Sequence, residues 1–358
     1  MGYMSKKLLL AILCCVISVG IGVFVGRKLF LLFRKNGSIS LLIQRPKELP
    51  LLKYTIPNLV NYPYQTSDIA IEKIISDFPG YTAYQFSFMT LGKKMTGQMN
   101  VPKILTTSSQ PVIMLVRGYV PPEKYVTGIG SRPAAEVFAN HGYVTFAPDF
   151  FGYAQSASES ADIWEARFQK PMNVVELIKT LQTKPQVTMM DGKTVSIDPK
   201  RMGIWAHSNG GQIALTTLEI LQQPIPTTLW APVTAPFPYS ILYFSDEDAD
   251  EGKAALWSVA NFERDYNPFD FSLTQHLDLL RGPLQLHQGL TDESIHYTWS
   301  QKFVDKITNE NKLRATTSAT PAIDMTFYKY PDTNHNMQPS WNTVVQRDLD
   351  FFAKNLIQ

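Results

Sequence analysis

One eight-residue segment, from Ile204 to Gly211, constrains this chain more than any other. A short apolar run that ends at Ala206 predicts a strand, and the apolar spacing that begins at Ile213 predicts a helix directly after it. Ser208 lies between the two, within the pattern Ala-His-Ser-Asn-Gly, where small residues permit a tight turn. This layout is typical of a nucleophile elbow, which lifts a serine hydroxyl above the sheet edge and points helix N–H groups at it. The alternative is a serine that caps an ordinary helix.

A serine hydroxyl needs a base, normally histidine, which in this layout follows the serine along the chain. His335 lies in a turn-rich loop after the predicted strand Met325 to Tyr330 and before a final predicted helix, Trp341 to Leu356. The other five histidines precede the serine, lie in the elbow, or lie in or beside predicted strands and helices: His141, His207, His276, His287 and His296. We therefore assign the base to His335; the alternative is a histidine of a surface loop.

The histidine needs a carboxyl partner that orients its ring. Pro283 to Gln288 predicts a strand, and the loop after it carries Asp292 and Glu293. Open parallel sheets place functional groups at this end of their strands. We assign the role to Asp292 and keep Glu293 as second candidate and Asp332 as third. The alternative for Asp292 is that it only caps the next helix.

A second buried strand is predicted from Pro111 to Val116, and the segment Arg117-Gly118-Tyr119 follows it. A loop at this place supplies one backbone N–H to the oxyanion, and the residue after the nucleophile supplies another. We therefore predict Tyr119 and Asn209 as the backbone donors. The alternative is a plain turn between a strand and a loop.

Together these segments resemble α/β-hydrolases of the prolyl oligopeptidase-like serine peptidase group, from about Tyr84 onward. The matching segments are Arg117 to Tyr119, Asn140 to Val144 running into Asp149, the serine segment, Leu286 to Ser294, and Tyr330-Pro331 leading to His335. Three positions depart from the motifs that are usual in this group: Arg117, Ala206 and Asn209. The resemblance implies an acyl-enzyme formed on Ser208 and a peptide or ester substrate.

Predicted strands alternate with predicted helices over most of the chain, which favours an α/β fold with a mostly parallel sheet and helices on both faces. A hairpin is predicted from Tyr84 to Val101, and no internal repeat is present. Large members of the group carry a β-propeller before the catalytic domain. Too few residues precede the hairpin for a propeller, so we expect a less shielded site.

Residues from about 234 to 276 interrupt this alternation and predict a cap insertion. Apolar walls over the serine would exclude water and bind substrate side chains, which would explain why the insertion is rich in aromatic residues. Its acidic run, from Asp246 to Glu251, would bind the amino terminus of a peptide or simply form a solvated loop, and we favour the solvated loop.

The N-terminus carries 19 uncharged residues from Leu8 to Gly26, about 28 Å of helix and enough to cross a bilayer. We predict a membrane anchor over 1–35, a tether over 36–66 and the catalytic domain over 67–358. A cleavable signal peptide is the rival, but no small-x-small site follows the apolar run. Charge counts favour a cytoplasmic catalytic domain, whereas the signal-like start and the habit of the group favour an external one, which we expect.

Composition excludes several classes of protein. Cys14 and Cys15 both lie in the predicted span, so the rest of the chain has no disulfide. Six of the basic residues fall in the first 35 positions, which leaves a net charge of −4 in the remainder and no basis for binding nucleic acid. No cofactor and no metal are predicted, and the oligomeric state is left open. We expect a serine hydrolase that cleaves short peptides; a carboxylesterase and a catalytically silent binding domain are the alternatives.

Overall fold

A computed structural model of the protein describes residues 27–28, 47–105, 108–245, 250–317 and 320–356. The chain divides into two units, Met1–Leu49 and Pro50–Gln358. The strands and the helices discussed below all belong to the second unit.

The described residues contain ten strands. Nine of them lie side by side in the order β1-β2-β3-β5-β4-β7-β8-β9-β10, and β6 pairs with the first part of β7. Their bounds are β1 Ala70–Asp77, β2 Tyr81–Thr90, β3 Lys93–Pro102, β4 Gln110–Val116, β5 Val144–Pro148, β6 Gln186–Thr188, β7 Thr194–His207, β8 Thr227–Trp230, β9 Leu284–Gly289 and β10 Met325–Tyr330.

The six strands from β5 to β10 along the sheet are parallel to one another. Three antiparallel strands, β1 to β3, extend the sheet beyond β5. The predicted hairpin corresponds to β2 and β3 with the turn at Leu91-Gly92. The mostly parallel α/β sheet that the sequence predicts is therefore confirmed.

Eight α-helices are described: α1 Ile56–Val60, α2 Arg132–Asn140, α3 Ile163–Thr183, α4 Asn209–Leu221, α5 Tyr239–Leu242, α6 Lys253–Asp265, α7 Tyr297–Thr317 and α8 Trp341–Leu356. Helices α2 and α8 pack on one face of the sheet, and α3, α4 and α7 pack on the other. The prediction of helices on both faces is thus confirmed.

Burial on both faces explains why the central strands read as unbroken apolar runs. Successive side chains of a strand point to opposite faces. In β4, Met114 and Val116 pack with α3 and α4, while Ile113 and Leu115 pack with α2 and α8. All four side chains are fully buried.

The folded domain begins earlier than position 67, the boundary predicted from the sequence. Leu51, Tyr54 and Leu59 are buried in one cluster with residues of α3 and of the insertion, and Ile56 is buried too. The Tyr54 hydroxyl also donates a hydrogen bond to Glu165 of α3. Proline-rich spacing predicted a tether here, but the apolar side chains between the prolines pack onto the domain from Pro50 onward.

In the insertion at 234–276, several aromatic residues pack against helix α3 instead of forming the predicted lid over the serine. Phe237, Phe262 and Phe271 are buried against Trp164 and Phe168 of α3, with ring centroids 4.9–6.5 Å apart. These rings hold the insertion to the helix layer. Other aromatic side chains, Tyr239, Tyr243, Phe244, Trp257 and Phe269, are exposed.

The acidic run of the insertion is described only at its end, because residues 246–249 lie outside the described residues. Asp250 accepts hydrogen bonds from the backbone N–H groups of Gly252 and Ala254, where α6 begins. Glu251 forms an ion pair with Lys253 at 3.0 Å, and both side chains are exposed. These two acids therefore have local structural partners.

No helix among the described residues is long and apolar enough to cross a membrane. The predicted anchor, from Leu8 to Gly26, lies outside the described residues and stays a prediction.

Glu219 of α4 is fully buried, and among the described residues neither of its carboxyl oxygens has a hydrogen-bond partner. Burial, with a smaller effect from Asp278, raises the pKa of this carboxyl well above its usual value. The folded state therefore holds a proton that the unfolded chain releases above about pH 4.3. As the pH rises from about 4.3 towards the raised pKa of Glu219, the free energy of unfolding falls. The total loss is about 1.4 kcal/mol for each unit by which the pKa is raised.

We therefore predict that Glu219→Gln raises the free energy of unfolding at pH 8 and changes it little at pH 4, because glutamine does not titrate. Urea unfolding at both pH values measures the difference. Glu123→Gln, at an exposed position, is the control and should change stability little at either pH. Equal effects of Glu219→Gln at pH 4 and pH 8 would contradict the prediction.

Candidate active site

Ser208 occupies a strained turn between β7, which ends at His207, and α4, which begins at Asn209. Its φ is 57° and its ψ is −125°, a conformation that costs a non-glycine residue about 1–3 kcal/mol. Three backbone hydrogen bonds hold it: the Ser208 N–H donates to the carbonyl of Trp230, and its own carbonyl accepts from Gly211 and Val233. This is the geometry of a nucleophile elbow rather than of a serine cap.

Close backbone packing explains the small residues around the elbow. A Cβ atom on Gly210 would lie 2.0 Å from the carbonyl oxygen of Val116, at the end of β4. A Cβ atom on Gly118 would lie 2.9 Å from the Ser208 Cβ. Glycine at both positions lets the segment that follows β4 run directly beside the serine. Gly118, the residue before the predicted oxyanion donor Tyr119, thus lies against Ser208.

Asp292 and His335 are hydrogen-bonded to each other. The His335 Nδ1 lies 3.1 Å and 3.0 Å from the two carboxyl oxygens of Asp292, so Nδ1 donates and the neutral ring keeps its lone pair on Nε2. Asp292 also accepts the N–H groups of Ser294 and Ile295 and an amide proton of Gln288. The carboxyl group of Asp292 therefore binds the His335 ring, as predicted, and also caps the backbone of its own loop, which was the alternative.

The carboxyl group of Asp292 is held in its ionised form. Burial alone would raise the pKa of Asp292, but the hydrogen bond and charge of His335, with the N–H groups of Ile295 and Ser294, hold that pKa below its usual value. An ionised Asp292 stabilises the proton that His335 would gain as a base.

His207 connects the histidine loop to the elbow. Its Nε2 donates a hydrogen bond of 3.0 Å to the backbone carbonyl of His335, and the two rings are 4.7 Å apart. Because His207 directly precedes Ser208, this bond attaches the backbone of the His335 loop to the elbow. Among the described residues, however, Ser208 forms no hydrogen bond to His335. Such bonds are often long in enzymes without substrate and tighten when substrate binds.

The two other acid candidates take different places. Glu293 accepts the backbone N–H of His335 at 3.2 Å, so it touches the loop but not the ring nitrogens. Asp332 is exposed. Sequence reasoning ranked these residues by position only and did not foresee that Glu293 and His207 would both bind the backbone of His335. The sequence did offer a signal for these contacts, because each residue is polar and adjoins a predicted catalytic residue: Glu293 follows Asp292, and His207 precedes Ser208.

His287, which the sequence placed in a strand, is buried in β9 within a polar network. Its Nε2 lies 3.0 Å from Asp348 of α8, and its Nδ1 lies 2.7 Å from the Tyr330 hydroxyl. Asp348 also accepts hydrogen bonds from Thr228, Trp230 and Gln285. This network joins α8 to β8, β9 and β10, and its member Trp230 also accepts the Ser208 N–H through its backbone carbonyl.

Tyr119 and Asn209, the predicted backbone donors, line one small cavity of about 10 Å³ next to the elbow. Arg117 lines it too, but its guanidinium is buried and held in place. It donates to the carbonyls of Gly118 and Asp149, both at 2.9 Å, and lies over the rings of Tyr125 and Tyr153 at 4.3 and 4.1 Å. Arg117, one of the positions that depart from the motifs usual in the group, therefore forms the wall of this cavity behind Tyr119.

A larger cleft of about 400 Å³ opens on the other side of the elbow. It is lined by His207, Asn336 and Trp341, among others, so it borders the loop of His335. Within the described ranges, no group of three or more histidine, cysteine or carboxyl side chains is placed to bind a metal ion.

The parallel sheet, the strained serine turn and the carboxyl–histidine pair at the strand ends define a hydrolase of the α/β class. The chain belongs to the prolyl oligopeptidase family, whose family model matches residues 131–358. The family predicted from the sequence is thus confirmed. A search of curated protein sequences found no match to this chain.

Solved structures with a similar fold include esterases and peptidases. An acetyl xylan esterase from Paenibacillus sp. R4 is 15% identical, with a TM-score of 0.59, and the match covers 88% of this chain and 99% of that one. An acylaminoacyl peptidase is 17% identical, with a TM-score of 0.55, over 77% of this chain and 42% of that one. Porphyromonas gingivalis dipeptidyl peptidase 4 is 18% identical, with a TM-score of 0.52, over 82% and 36%.

His207 generates a prediction about pH. Burial, with a further contribution from the charge of His335, lowers the pKa of His207 to about 4, against about 6.5 in an unfolded chain. Between these values the unfolded state binds a proton that the folded state does not, so stability falls as the pH falls. The ring borders the open cleft, which limits the loss to about 1–2 kcal/mol.

We expect His207→Asn to remove this part of the acid sensitivity. Urea unfolding of both proteins between pH 7 and pH 4 measures it, as the difference between the two slopes of unfolding free energy against pH. Parallel slopes for wild type and variant would show that His207 is protonated to the same extent in both states.

Proposed function

We propose that this protein hydrolyses carboxyl derivatives by acyl transfer, with Ser208 as nucleophile, His335 as base and Asp292 as its partner. The observation that carries the proposal is the convergence of two separately positioned elements. One is the serine in its strained turn, and the other is a histidine whose Nδ1 is bound to a buried carboxylate. The hydrogen bond between His207 and His335 joins them.

The geometry supports a two-stage reaction. His335 Nε2 accepts the Ser208 proton while the serine oxygen attacks the substrate carbonyl, and the N–H groups of Tyr119 and Asn209 stabilise the resulting oxyanion. His335 then gives the proton to the leaving group, which departs and leaves an acyl-enzyme. Water enters, loses a proton to His335 and attacks the acyl carbon. The bond between the acyl carbon and the serine oxygen then breaks, His335 returns the proton to that oxygen, and the acid is released.

Short peptides are the first candidate substrates, because the family is one of peptidases. Esters are the second, and the extent of the structural matches favours them. The acetyl xylan esterase matches over 99% of its length, whereas the two peptidases match over 42% and 36% of theirs. The same triad serves both substrate classes, since only the leaving group differs.

The roles of the three residues are tested with a fluorophosphonate probe, which reacts with an activated serine. Wild type should be labelled and Ser208→Ala should not, because the attacking oxygen is gone. Asp292→Asn should slow turnover by about 10²–10⁴-fold, because the amide cannot stabilise a protonated His335. Absence of labelling in the folded wild-type protein would contradict the proposal.

Glu293→Gln is the matched control for the acid. Glutamine retains an oxygen that can accept the His335 backbone N–H, so we expect less than about a tenfold loss of turnover. If Glu293→Gln is the more damaging of the two, the assignment of Asp292 is wrong.

Substrate class is tested with p-nitroanilides and p-nitrophenyl esters that carry the same acyl group. We expect measurable hydrolysis of both, with esters faster because phenolate is the better leaving group. Hydrolysis of the anilide above the rate of the Ser208→Ala variant identifies a peptidase. Turnover of the ester alone would select the second candidate.

A further inference from the structure

Two cations on α3, Arg167 and Lys170, lie one helical turn apart and are only partly exposed. Within the described part of the chain, neither side chain forms a hydrogen bond or an ion pair. Other charged residues of the same helix are partnered: Glu165, for example, pairs with Lys53 at 3.2 Å. Burying a cation without a partner lowers the stability of the fold. We therefore looked for a function of Arg167 and Lys170 in their position relative to the active site.

Both side chains point to the region where α3 passes the first turn of α4. Lys170 lines the same small cavity as Tyr119 and Asn209. Arg167 lines a neighbouring cavity of about 30 Å³, and Ile213 of α4 borders both. Lys170 therefore shares a cavity with the predicted oxyanion donors, and Arg167 lies in the cavity next to it.

The charges around these cations are mostly positive. Burial, with the nearby charges of Arg167 and Arg117, lowers the pKa of Lys170 to about 8, and Glu159 acts in the opposite direction. Glu159 is exposed. The other nearby acid, Asp149, is hydrogen-bonded to Thr96, Tyr125 and Thr127. The cavity thus retains an excess of positive charge that an anionic ligand would neutralise.

We propose that Lys170 and Arg167 form a subsite for a carboxylate carried by the acyl part of the substrate. This inference rests on the proposed function and narrows its substrate class. The substrates would be esters or amides of short acids that carry a second carboxylate, including acyl groups derived from aspartate or glutamate.

The position of the cations indicates the acyl side rather than the leaving-group side. Tyr119 and Asn209 would hold the carbonyl oxygen, and Lys170 lines the cavity with them. His335, which would protonate the leaving group, is held by His207 next to the opposite, larger cleft.

The test compares two esters of equal chain length, 4-nitrophenyl hydrogen glutarate and 4-nitrophenyl pentanoate. We expect wild type to prefer the anionic ester by at least about tenfold in kcat/KM. Lys170→Met should bring this ratio close to one, and Arg167→Met should lower it. Lys179→Met is the matched control, because Lys179 lies on the same helix but contacts Tyr64, away from the cavity, and should retain the preference.

A second comparison, between two peptide substrates, distinguishes whether the carboxylate belongs to an acidic peptide or to an ester of a dicarboxylic acid. N-acetyl-glutamyl and N-acetyl-glutaminyl p-nitroanilides differ only in charge at the acyl side chain. A preference for the glutamyl compound assigns the subsite to acidic peptides. A preference seen only between the two esters assigns it to esters of dicarboxylic acids.

Labelling by a neutral fluorophosphonate separates this inference from the proposed function. An unlabelled wild-type protein would refute the proposed function. A labelled wild-type protein without preference for either anionic substrate would overturn the subsite alone. So would a preference that persists in both Lys170→Met and Arg167→Met while both variants are labelled at the wild-type rate.

Discussion

The site depends on one contact, the approach of the first turn of α4 to the end of β4. Val116 and Ala206 lie opposite each other in neighbouring parallel strands, so the segments that follow both strands leave the sheet at the same point. Only a glycine at position 210 lets the helix begin that close to the carbonyl of Val116. This contact fixes the serine, the N–H groups of α4 and the Arg117–Tyr119 segment relative to one another.

The histidine loop is attached to this rigid centre through backbone groups. The His335 carbonyl binds His207, its N–H binds Glu293, and its ring binds Asp292. The loop is therefore held at three points, and none of them uses the ring nitrogen Nε2. Hydrogen bonds thus restrict both groups that we propose to react, through the backbone at Ser208 and through the backbone and ring at His335.

Local patterns sufficed to predict the strands that carry Ser208, Asp292 and His335, because buried parallel strands and their following loops leave a strong apolar signal. Long-range packing was not predictable in the same way. The apolar residues between Pro50 and Pro57 read as part of a tether because their partners lie more than 100 positions away on α3 and in the insertion. Arg167 and Lys170 read as ordinary helix residues because the sequence does not show what faces them.

The network around Asp348 has a consequence for the order of folding. Four side chains from β8 and β9 donate to or contact this one buried carboxyl group, which α8 supplies. Helix α8 follows every other described element. During synthesis, β8 and β9 are therefore made before the helix that supplies Asp348. Until α8 has emerged and packed on the sheet, the polar side chains of β8 and β9 would therefore lack the carboxyl group that satisfies them in the folded domain.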